Sequence, residues 1–115
     1  MKAFEQPGQA ITLMPATTMD ANKHKFGVVD ANGKLALAGA GVAAAGVIQI
    51  PGIVGEPTRV MTNGVSFITI GATLTAGQEV ESNAAGLAIP LNTGKSLGIC
   101  LVGGAANSIG SILLK

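Results

Sequence analysis

Seventeen glycines are spread through this chain of 115 residues and divide it into short runs rich in Val, Ile and Thr. Runs of that kind form strands, because branched side chains fit a pleated, half-buried surface, whereas each interior glycine costs a helix about 1 kcal/mol relative to alanine. Strands are predicted near residues 10–14, 25–29, 34–38, 46–50, 57–62, 65–70, 78–82, 86–89, 97–102 and 109–114, making residues 10–115 one all-β domain. The alanine-rich stretch "LALAGAGVAAAGV" is interrupted by Gly39, Gly41 and Gly46 and is expected to be a loop or a single turn. Asn32-Gly33 in "VVDANGKLAL" and Asn63-Gly64 in "RVMTNGVSFITI" each lie between apolar segments, which is a hairpin signal. Sliding the chain by 52 positions lays "GVIQIPG" (46–52) over "GICLVGG" (98–104), and "NGKLAL" matches "AGLAIP" after a one-residue gap. That pattern predicts two similar β halves related by a local twofold axis, wrapped into a small barrel, tulip-like domain or sandwich.

Charge narrows the possible roles. Only 11% of the residues are Asp, Glu, Lys or Arg, against roughly 25% in ordinary soluble domains. A surface so poor in charge is expected to be covered by copies of the same chain or by another protein. The seven basic and six acidic residues are scattered and sum to +1, leaving no stripe to neutralise a row of phosphates, so nucleic acid is not an expected partner. Three phenylalanines without Trp or Tyr provide no stacking platform for bases or sugars. No run approaches the ~20 apolar residues of a membrane span, and no secretory h-region is visible. The single Cys100 fits synthesis in a reducing compartment.

The chemical inventory is short. Gly94-Lys95-Ser96 resembles the end of a phosphate-binding loop, but Ile89 stands where the motif needs its first glycine and Pro90 removes an N–H donor. The segment is expected to be an exposed turn. His24 lies between Lys23 and Lys25 and reads as a solvated loop residue; with Cys100 it forms no metal-ligand spacing. Cys100 reads as an inert strand residue. Glu79 and Glu81 share one side of a strand and are expected to form its wet face opposite Val80. No catalytic, cofactor or metal residue is nominated, and the protein is not expected to be an enzyme.

The segments "VMTNGVSFITIGATLTAGQEVESNAAGLAIPL" and "GKSLGICLVGGAANSIGSILL", with Gly64, Gly77, Gly86, Gly98 and Gly110 at their turns and strand starts, resemble the small capsid decoration, or cement, proteins of tailed bacteriophages. "FEQPGQAITLM" is similar to that family's opening. The resemblance implies a β-rich structural virion protein on the outer capsid surface. Such a protein binds the major capsid protein and stabilises the capsid by clamping neighbouring coat subunits. A homo-oligomer is a further expectation, a homotrimer before a dimer. The rival reading is a receptor- or glycan-binding module on a virion or tail, which the shortage of aromatic residues disfavours. Within the first reading, Met1, Lys2, Ala3, Phe4, Glu5, Gln6, Pro7, Gly8 and Gln9 are expected to be a capsid-binding arm, loose in solution and ordered by pairing with a coat strand, with Phe4 as its apolar anchor. The "GAGVAAAG" loop is a second candidate contact, since its small side chains allow close approach of another backbone.

Overall fold

The structure, a computed structural model, describes residues 2–115; Met1 of the expected arm lies outside the described residues. It is all-β, with eleven strands: β1 (Gln6–Pro7), β2 (Ala10–Leu13), β3 (Phe26–Val29), β4 (Leu35–Leu37), β5 (Gly46–Ile50), β6 (Thr58–Met61), β7 (Gly64–Thr69), β8 (Glu79–Ser82), β9 (Ala88–Pro90), β10 (Gly98–Val102) and β11 (Ile109–Leu114). The ten strands expected from the sequence are all present. β1 was not foreseen, because Pro7-Gly8 reads as a breaker and an edge strand two residues long has no periodicity to detect.

The strands form two antiparallel sheets, ordered β2-β6-β5-β3-β4 and β1-β7-β11-β10-β8-β9. Leaving β1 aside, the second order repeats the first. Moving β3 and β4 forward by 53 positions gives β8 and β9, and moving β5 by 52 gives β10. Register repeats as well: Ile48 pairs with Val60 and the ladder then bulges before Ile50, while Cys100 pairs with Ile112 and bulges before Val102. In each half the chain beyond the first strand reaches the far edge of its own sheet, through Pro15↔Leu35 and Ile70↔Ala88, curling the sheet towards a barrel. The halves meet partly through equivalent positions, with Gly41 against Gly94. Ala45 and Leu97, also equivalents, line one crevice of about 210 Å³.

Equivalent residues fill equivalent interiors. Met19, Leu35, Ile48 and Val60 close the first half; their counterparts Leu74, Ala88, Cys100 and Ile112 line the second. That second core also takes in Phe26, Val47 and Met61 from the opposite side of the first sheet, which joins the halves into one hydrophobic unit.

The two Asn-Gly turns differ. At Asn32-Gly33 the strands do form a hairpin, but only Gly33 has positive φ (76°), so the loop is a type I turn with a left-handed glycine rather than the double left-handed type I′. Asp30 Oδ1 accepts the N–H groups of Asn32 and Lys34, both at 2.9 Å, and Asn83 repeats this with Ala85 and Leu87. Asn63-Gly64, by contrast, joins no hairpin. β6 and β7 belong to different sheets, and the dipeptide is a corner at which the chain changes sheet. The N-terminal segment turns the same corner alongside it: β2 pairs with β6, and β1 pairs with β7 through Gln6↔Val65 and Pro7↔Gly64. A side chain at Gly64 would collide with the Gly8 backbone, so the ribbon can bend this tightly only with glycine there.

Candidate interaction surfaces

The residues nominated as an arm are placed by sheet pairing and by one buried hydroxyl. The Phe4 N–H donates to Ser111 Oγ and the Ser111 hydroxyl donates to the Phe4 carbonyl, both at 2.6 Å. Asn63 Oδ1 accepts the Gln9 N–H at 2.5 Å, and the Gln9 carbonyl accepts from the Thr62 N–H at 2.9 Å. Residues 4–9, expected to be loose, are therefore tied down: Gln6–Pro7 is the edge of the second sheet along β7, Phe4 reaches Ser111 of β11, and Gln9 is held at the corner by Thr62 and Asn63. The reason is that the segment borrows its hydrogen bonds from strands distant in sequence. Phe4 remains 40% exposed and keeps its apolar ring available at the surface.

Beside this segment runs a groove of about 360 Å³ with Met61 and Phe67 on its floor and Lys23, His24, Arg59 and Glu5 around it. His24 is not the free loop residue expected from its lysine neighbours. Its N–H donates to the Ile48 carbonyl and its carbonyl accepts from Thr69, which ties the two sheets together. Its ring packs on Phe67 with centroids 5.4 Å apart, and its backbone is left-handed, φ 62°. Burial, and then the Lys23 charge, push the imidazole pKa below its ordinary value, against a smaller opposing pull from Glu5.

Glu79 and Glu81 part company. Glu79 is exposed, and its Oε1 accepts from Lys115 Nζ at 2.8 Å and from the Ser96 hydroxyl at 2.9 Å; these bonds hold its pKa below the usual carboxylate value. Glu81, expected on the same wet face, is buried. The loops at Gly41 and Gly94 close over it, its Oε2 lying near both, and its Oε1 accepts the Asn92 N–H. Strand alternation placed it correctly; the covering loops are tertiary. Lys95 N–H donates to the Gly41 carbonyl at 3.0 Å, so the alanine-rich loop does approach another backbone, that of its own chain. Cys100 is buried, and its surroundings push the thiol pKa up.

His24, Cys100 and the two glutamates do not converge. Among the described residues, no three of His, Cys, Asp and Glu stand close enough to hold a metal ion, and no helix is long and apolar enough to cross a membrane. The second sheet's outer face is apolar, with Ile109 45% and Leu113 42% exposed, whereas Met61, the counterpart of Leu113, is 2% exposed.

No protein-family model matches the chain, and no curated protein matches its sequence. Among solved structures, the chain is similar to the N base of head fiber gp8.5 in bacteriophage phi29, with TM-score 0.75 and 11% identity over 93% of each chain. At that identity the likeness is one of fold, and it spans both halves and the corner between them.

Proposed function

We propose that this protein is a structural component of a tailed-phage virion that binds the outside of the head and strengthens the mature shell by holding neighbouring coat subunits together. The observation that supports this most is the likeness to a phage head fiber base over 93% of both chains. The scattered titratable groups fit the same reading, since adhesion requires no chemical centre. A protein that binds only the mature lattice stabilises that lattice by its binding free energy, and several weak contacts per copy sum into slow release. The partner is the major capsid protein, and the working unit is a homo-oligomer, a trimer before a dimer. The apolar outer face around Ile109 and Leu113 is a surface such an oligomer would cover. The N-terminal segment serves as the capsid-binding arm, Phe4 leading, by exchanging its edge pairing on β7 for pairing with a coat strand.

The test is co-sedimentation of the purified protein with expanded capsids of its phage, with and without residues 2–9. Saturable binding that is lost on deletion is the expected result. Failure to bind capsids at micromolar concentration overturns the reading, and undiminished binding after deletion overturns the arm. Glycan binding in the absence of capsid binding would instead favour a receptor module.

A further inference from the structure

The repeat provides an internal control for surface residues. Where the second half builds a backbone position from a small neutral residue, the fold does not need the larger side chain that the first half carries there. Around the groove beside β6, Lys23, His24 and Arg59 stand where the second half has Ala76, Gly77 and Ser111. The His24 N–H donates to the Ile48 carbonyl as the Gly77 N–H does to the Cys100 carbonyl, and both backbones are left-handed, φ 62° and 92°. Glycine adopts that conformation freely and histidine does not, so the imidazole is kept against the preference of its own backbone.

Two further observations indicate what the groove accepts. The ion pair found among the described residues is Lys115–Glu79; Lys23 and Arg59 have no carboxylate at that range, and they outnumber Glu5, the one acid that lines the groove. At Ser111, the counterpart of Arg59, a backbone is already seated, that of Phe4, whose N–H and carbonyl both bond the hydroxyl. The second half thus uses this place on its sheet to hold a chain segment that continues into strand β1.

We propose that the groove holds an extended segment of a partner protein bearing an acidic side chain, its carboxylate between the Arg59 guanidinium and the Lys23 ammonium and an apolar neighbour on the half-buried Phe67. The guanidinium presents two parallel donors to a carboxylate, and the adjacent ammonium adds charge without demanding a fixed geometry. The inference does not require the partner to be a coat subunit.

The test is an amide-resolved NMR titration of the full chain with a blocked peptide, acetyl-Ala-Glu-Leu-Glu-Ala-amide, beside its glutamine twin, acetate and inorganic phosphate. The glutamate peptide should shift signals of residues 23–25 and 59–61, bind less tightly as salt is raised, and weaken about tenfold in Arg59→Gln and again in Lys23→Gln. Both side chains are exposed, and the same spectra report whether each variant is folded. His24→Gly, which suits the backbone, gives a third folded variant with altered groove shifts. Shifts that are absent, that centre on Lys95 and Lys115, or that persist in Arg59→Gln overturn the proposal. So does equal response to the glutamine peptide, or to acetate and phosphate, which would leave an adventitious anion site.

Discussion

His24 and Glu81 are polar side chains held by the fold, and each predicts a measurable response. Because the His24 pKa is lowered by folding, the unfolded chain takes up the proton first as pH falls. The associated stability is present above the unfolded value near 6.5 and is lost as pH drops through the lower folded value. Urea midpoints should fall between pH 7 and pH 5 in the native sequence and fall less in His24→Gly. The two glutamates give a contrast. Glu81 lies under two loops and bonds Asn92, so Glu81→Ala should cost about 1–3 kcal/mol. Glu79→Ala, although it removes the ion pair, should leave the urea midpoint almost unchanged because exposed pairs contribute little. Chemical denaturation of both variants decides the order. Residue spacing placed both carboxylates on one strand face; only the approach of Gly41 and Gly94, from other parts of the chain, separated a buried acid from a wet one.

Among the elements, the corner ribbon carries the consequence. Asn63 holds Gln9 through its side chain while Thr62 holds it through the backbone, so Asn63→Ala should cost about 1 kcal/mol and loosen residues 4–9. Hydrogen exchange at Gln9 and Thr62 should quicken, with the β10–β11 ladder unchanged; protection that is unaltered would mean the ribbon is held elsewhere. The pair of Asn-Gly signals shows where local reading stops. The dipeptide favours a tight turn in both places, yet the direction of the chain after Gly64 is set by Val65, which pairs with Gln6 on one side and Leu113 on the other. No local rule specifies partners that far away, and the unforeseen β1 has the same origin.

At the scale of the whole molecule the halves share a fold but not independence. Phe26, Val47 and Met61 are buried only because the second half covers them. A chain cut between Thr62 and Asn63 should therefore give two fragments that are largely unstructured alone, and the intact chain should unfold in one transition. Circular dichroism of the fragments checks this; a well-folded 63–115 fragment would contradict the shared core. Ile112→Ala, in that core, should cost about 2–5 kcal/mol. The sequence alone established the strand positions, the 52–53 residue repeat and the scarcity of charge, because strand propensity, turn residues and composition act over a few neighbours or over none. Which strands became neighbours, which polar groups were sealed beneath loops, and how Lys23, His24 and Arg59 came to border one groove were decided by tertiary structure. Those outcomes depend on contacts between residues far apart in the chain, whose free energy exists only once both sheets have closed on their common core.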